Sequence, residues 1–92
     1  MLTVYRFTAD WCGPCKMMAP TIEKLMEEYN VQGSEVEIVN LDADLDDTRP
    51  LATKYSVRSI PTLVFEKDGE EVDRTVGVKT YDDLNERIKR HK

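Results

Sequence analysis

Trp11-Cys12-Gly13-Pro14-Cys15 holds both cysteines of the chain and stands where an apolar stretch gives way to an amphipathic one. Two cysteines separated by two residues lie close enough to bridge within the first turn of a helix, so the pair can exist as a dithiol or as a disulfide. At a helix N-terminus the first N–H groups lack intrahelical partners and the macrodipole is positive, which favours thiolate over thiol at Cys12. Thiolate is the nucleophilic form. Pro14 suits the opening turn, where its missing N–H costs nothing and its fixed φ already matches the helix. Gly13 leaves room for another chain to approach Cys12, and Trp11 sets a large apolar surface beside it.

Upstream, residues 2–8 form a nearly apolar run with β-branched and aromatic character, which predicts a strand buried on both faces. Downstream, Met18, Ile22, Leu25, Met26 and Tyr29 recur at three- and four-residue spacings opposite Glu23, Lys24, Glu27 and Glu28. That spacing predicts a helix over residues 14–29 with one face packed on a sheet. Pro20 falls inside it and removes the bond to the Lys16 carbonyl, so a kink is expected there. Residues 30–34 are a polar, Gly-containing break, and 35–41 read as a second strand. A strand, helix and strand of these lengths form a right-handed crossover with parallel strands.

Residues 42–47 then carry four carboxylates and open like a calcium loop. The likeness fails, because that loop needs Gly at its sixth position and Glu at its twelfth, where this chain has Asp47 and Thr53. A solvated acidic loop ahead of a short helix over 48–55 is the expectation. Pro61 immediately precedes Leu63-Val64-Phe65, an apolar run suited to a central strand. Asp68-Gly69 supports a turn with positive φ and predicts a hairpin into an antiparallel strand over 71–76. Thr80 with Asp83 reads as a capping box ahead of a last helix whose Tyr81, Leu84 and Ile88 form its buried stripe, and the basic end at 89–92 complements the dipole.

The resulting order, β-α-β-α-β-β-α, is an α/β arrangement: a four-stranded mixed sheet flanked by helices, in a single domain over residues 1–92. Ninety-two residues suffice for one core and no second. The net charge of -5 argues against nucleic acid, whose phosphates need a basic surface. No apolar stretch of about 20 residues spans a bilayer, and the first apolar segment is too short for a signal peptide, so no membrane is expected and the cytoplasm is the default address. In a reducing compartment a lone C-x-x-C is catalytic or metal-binding rather than a staple. Two cysteines and the distant His91 supply too few ligands for a closed zinc site, and His91 reads as a cap for the last helix.

The Trp-Cys-Gly-Pro-Cys-Lys run after an apolar strand, Pro20 five residues past Cys15, Ile60-Pro61-Thr62 before a second apolar strand, and two later glycines resemble thioredoxins over most of the chain. The resemblance implies the minimal form of that fold. It further implies a thiol-disulfide oxidoreductase in which Cys12 attacks a substrate disulfide and Cys15 resolves the mixed disulfide. Substrates would be disulfide-containing proteins. A separate thioredoxin reductase-like flavoprotein would regenerate the dithiol, so the chain would need no cofactor of its own. Pro61 resembles the family's cis-proline facing the cysteines, with Trp11, Gly13, Pro14, Ile60 and Gly77 completing the docking surface. The rival reading is a non-catalytic binding module that docks a partner through the same surface.

Three departures from the family pattern stand out. Met1 already lies at the start of the central strand, where family members have an additional strand and helix before it. The expectation is an exposed edge at 35–41 and a partly uncovered sheet face, in a monomer whose edge permits weak dimerisation. Arg6 stands where the family carries a buried acid beneath the cysteines, and Ile38 replaces the lysine that commonly partners it. Either the Arg6 charge stabilises thiolate and makes the protein a stronger oxidant, or its stem lies over apolar surface and its head reaches water. Thr8 occupies a position usually held by a second tryptophan.

Overall fold

The computed structural model describes residues 1–92. Its elements in chain order are β1 (Leu2–Thr8), α1 (Gly13–Tyr29), β2 (Val36–Asp42), α2 (Arg49–Lys54), β3 (Thr62–Lys67), β4 (Glu70–Val76) and α3 (Tyr81–His91). The four strands make one sheet in the order β2-β1-β3-β4. β1 runs parallel to β2 and antiparallel to β3, and β3 pairs antiparallel with β4. The hairpin turns at Asp68 and Gly69, both at positive φ, as the Asp-Gly dipeptide predicts. Ahead of α2, residues 46–48 form one 3-10 turn, so the predicted short helix is real but divided.

Strand periodicity sorts the side chains. Leu2, Val4 and Arg6 of β1 lie on the same face as Val36 and Ile38 of β2 and Leu63 and Phe65 of β3, and α1 and α3 cover that face. Met18, Ile22 and Leu25 from α1, with Leu84 and Ile88 from α3, complete this main core. Residues such as these, fully withdrawn from water, stabilise the fold by about 1.5–3 kcal/mol each. Tyr81, Met26 and Tyr29 pack at its border rather than within it. α1 runs through Pro20 as one helix from Gly13 to Tyr29.

The opposite face is covered less completely. Phe7, Val64 and Tyr55 form a small second core there, over which Leu51, Ala52 and Val57 pack at the α2 end. Thr3 and Tyr5 stay half-buried. β1 is therefore enclosed on one face and half enclosed on the other, a correction to the expectation of full burial: a single short helix spans only one end of that face.

The edge of the sheet differs from expectation in a second way. β2 is at the edge, as the sequence implies, but the backbone of Ile38 is not left open. Asn30, the residue that ends α1, sends its amide oxygen to the Ile38 N–H at 2.7 Å and its amide N–H to the Ile38 carbonyl at 2.9 Å. The Ser34 hydroxyl accepts from the Val36 N–H at 3.1 Å. A side-chain amide thus stands in for the neighbouring strand and blunts the edge. His91 does not cap α3. Its ring Nε2 lies 3.1 Å from Asp73 on β4, a carboxylate that also receives Arg87 at 2.8 Å. The side chain turns to the sheet because an ionised acid waits there and the helix end lies in water.

Candidate functional site: the cysteine turn and its surroundings

β1 ends at Thr8, and the chain turns through Ala9–Cys12 with the Cys12 N–H on the Ala9 carbonyl at 3.2 Å. Cys12 is the N-cap of α1: its backbone is extended, its carbonyl accepts from the Lys16 N–H, and its sulfur accepts from the Cys15 N–H at 3.2 Å. A sulfur in that position faces N–H groups with no partner in the helix, which lowers the energy of a negative charge on it. Pro14 occupies the first turn, where no bond is lost. Cys12 and Cys15 are joined as a disulfide, with Cα atoms 5.2 Å apart. Both are buried against Ala9 and Ile60, and Cys15 is the deeper of the two.

Around the sulfurs the surface is apolar and open. Trp11 is 68% exposed, held in place by its indole N–H donating to Asp44 at 2.8 Å. A groove of about 500 Å³ runs beside it, lined by Phe7, Ala43, Ala52, Val57, Arg58 and Ile60 among others. The Ile60–Pro61 peptide is cis. Pro61 gives its carbonyl to the Gly77 N–H at 2.9 Å, and Gly77 holds φ at +89°, which glycine adopts without strain. Nothing stands within 4 Å of a Cβ built on Gly13, so the approach to Cys12 is unobstructed. The structure therefore gathers Trp11, Ile60 and the two cysteines at the C-terminal end of β1, with Pro61 next to Ile60 and Gly77 hydrogen-bonded to Pro61.

Arg6 settles where the sequence left two alternatives. It is 7% exposed, with its head hydrogen-bonded within the protein rather than extended into solvent. The parity that places Leu2 and Val4 beneath α1 places Arg6 there too, under the helix's first turn. Its Nη2 donates to the Cys15 carbonyl oxygen at 2.7 Å and its Nη1 to the Asn40 amide oxygen at 3.3 Å, while its Nε has no acceptor. Burial lowers the pKa of the guanidinium, and Glu23 pulls it partly back.

Sequence reading missed three supporting residues. Asp44 lay in what read as a solvated acidic loop. Asn40 and Asn30 carried no motif at all. Asn40 and Asp44 act on partners brought close by strand pairing: Asn40 lies opposite Arg6, and Asp44 follows β2, whose end lies beside the end of β1 through the Ala43 N–H to Thr8 carbonyl bond at 2.8 Å, whereas Asn30 reaches β2 from the end of α1. No group of His, Cys, Asp and Glu stands together in a way that holds a metal ion, and no helix is long and apolar enough to cross a membrane.

The thioredoxin family model matches residues 1–90. Thioredoxin of Chlamydia trachomatis is 43% identical over 90 residues, which cover 98% of this chain and 82% of that protein. Thioredoxin of Bacillus subtilis is 46% identical over 85 residues, 92% of this chain and 77% of its own. Among solved structures, a thioredoxin of Fasciola hepatica superimposes with a TM-score of 0.82 at 46% identity, covering 99% of this chain and 81% of that one. One from Nicotiana alata gives 0.83 at 38% identity, over 99% and 73%. A match that leaves only the last two residues outside it, to a family whose fold this sheet repeats, shows that the chain belongs to the thioredoxin family, and its bridged cysteine pair makes it a thiol-disulfide oxidoreductase.

Proposed function

We propose that residues 1–92 act as one domain that reduces disulfides in protein substrates, with Cys12 as the attacking thiolate and Cys15 as the resolving thiol. The observation that carries this reading is the position of Cys12 as the N-cap, its sulfur receiving the Cys15 N–H. In the dithiol state the same N–H favours Cys12 thiolate. That thiolate attacks one sulfur of a substrate disulfide, forming a mixed disulfide and releasing the other sulfur as thiolate. Cys15 then loses its proton to solvent and attacks the Cys12 sulfur, and the substrate's second sulfur leaves and takes up a proton. The protein ends oxidised and the substrate carries two thiols.

Docking follows from the surroundings. Trp11, Gly13, Pro14, Ile60, Pro61 and Gly77 form the surface on which an extended segment of substrate lies, its backbone pairing beside the cis-proline. A separate flavoprotein reductase returns the disulfide to dithiol, so no cofactor resides in the chain. The protein works in the cytoplasm, and as a monomer, a state supported by the Asn30 amide covering the Ile38 backbone at the sheet edge. Trapping tests the assignment of roles. With Cys15→Ser, a protein disulfide is expected to accumulate as a stable adduct on Cys12, and with Cys12→Ser no adduct forms. Adducts formed through Cys15 and not through Cys12 would reverse the roles, and none with either variant would favour the binding-module reading.

A further inference from the structure

Arg6 is the one charged residue buried in this protein, the others withdrawn from water being apolar or threonine. Such a charge is costly unless something compensates it, and here the compensation is incomplete: two neutral oxygens are bonded and Nε has no acceptor. One of its donor groups reaches the dithiol's own turn and the other reaches β2. The Cys15 carbonyl receives Nη2, and Asn40, the second acceptor, is itself oriented by its amide nitrogen against the Met26 sulfur at 3.4 Å.

We propose that Arg6 is a positioning residue of the dithiol: its buried guanidinium, held on the Cys15 carbonyl, stabilises the thiolate form of the reduced pair and so strengthens the oxidised protein as an electron acceptor. The inference rests on the oxidoreductase reading above and names what tunes that same site. A disulfide carries no charge and gains nothing from the cation, whereas the reduced, ionised pair does; the reduced state is favoured accordingly. In turnover this matters at the second step. Cys15 must shed its proton before it attacks the Cys12 sulfur, and a cation anchored on its own carbonyl stabilises the thiolate that results.

The surroundings do not cancel the effect. Asp10 and Lys16 line the cleft shared by Arg6 and Cys15, one charge of each sign. Glu23 on α1 is the carboxylate whose field reaches Arg6. From β2 the facing residue is the neutral Asn40, and the Asp42 carboxylate is turned to the Asp44 N–H at 2.9 Å. β3 presents Leu63 opposite Arg6, and α3 contributes Leu84 and Ile88 to that layer. No carboxylate pairs with the guanidinium.

Thiolate absorbance of the reduced protein across pH, with the redox equilibrium against dithiothreitol, tests this in wild type, Arg6→Met and Arg6→Lys. Removing the charge with Met is expected to move the thiolate titration upward, by on the order of tenfold in the thiol–thiolate equilibrium. At a pH above both titrations the oxidised variant should accept electrons less readily by a similar factor, and tenfold corresponds to about 30 mV for a two-electron couple. Below both titrations the proteins should converge, because neither thiol is then ionised. Lysine should hold the midpoint near wild type. An unmoved titration overturns the proposal, and so does a redox shift of equal size below and above both titrations, which marks altered packing. Should Arg6→Met not fold, Arg6→Gln serves as the uncharged variant with the same expectations. The titration uses no substrate, so a wild type that turns over no protein disulfide overturns the oxidoreductase reading without touching this result.

Discussion

Single residues carry the chemistry, and one of them does so at the expense of local stability. Cys12 is both N-cap and redox sulfur, so the helix start and the reactive group are one object. In the reduced protein, Cys12→Ala removes the cap and is expected to lower the unfolding free energy by about 1 kcal/mol relative to Cys12→Ser, which keeps an acceptor at that position. Urea denaturation of the two variants measures the difference, and equal stabilities would mean the cap contributes nothing. Arg6 makes the opposite case. With a buried N–H unsatisfied and its charge unpaired, Arg6→Met is expected to raise stability by about 1 kcal/mol. A variant clearly less stable than wild type would show that the bonds to Cys15 and Asn40 outweigh the desolvation. The sequence told where Arg6 sits in its strand but not what its head meets, because both acceptors belong to other elements: Asn40 is thirty-four residues away, and Cys15 is across a turn.

At the scale of elements, hydrophobic spacing made nearly all of the fold legible. The run 2–8, the three- and four-residue recurrence from Met18 to Tyr29, the Asp-Gly turn and the Thr80 cap each came out within a residue or two of the observed boundary. Thr80 accepts from the Asp83 N–H at 3.2 Å, as its spacing implies. What stayed illegible were polar side chains serving a distant backbone. Asn30 is the clearest. Its amide bonds both backbone groups of Ile38 and replaces a missing strand, which no local pattern announces. Asn30→Ala is expected to cost about 1–2 kcal/mol by leaving two backbone groups without their partners, and to promote self-association along β2. Sedimentation at increasing concentration checks the second effect. A variant that stays monomeric at every concentration would show that other features guard the edge.

Across the whole molecule, charge pairs link the last helix to the sheet and set the response to pH. Burial opposes ionisation of Asp73, but the Arg74 N–H, His91 and Arg87 outweigh it and hold its carboxyl below the usual value. Glu71 is held low mainly by its hydrogen bonds from Arg74. A depressed carboxylate stabilises the fold above its unfolded pKa and loses that contribution as pH falls through the folded one. Stability should therefore decline on the acid side of about pH 4, and Asp73→Asn should flatten that decline while lowering stability at neutrality. Burial, and then Glu66, push the Tyr55 phenol well up, and Tyr5 is raised by burial first and Glu66 second. Those phenols favour the fold below about pH 10, and the contribution fades as the unfolded chain ionises above it. Thermal unfolding across pH reads both limbs, and an acid limb unchanged by Asp73→Asn would contradict the assignment. The cysteine turn, by contrast, is readable from the start, because five adjacent residues carry both the cap and the thiols, whereas its supports come from elsewhere, Arg6 from β1 and Asn40 and Asp44 from β2 and the loop after it. Central to the whole account is that both thiols turn over protein disulfides. The most direct measurement is the rate of insulin reduction with dithiothreitol as electron source, for wild type, Cys12→Ser and Cys15→Ser: acceleration is expected from wild type alone, and a folded wild type no faster than dithiothreitol by itself would overturn the assignment.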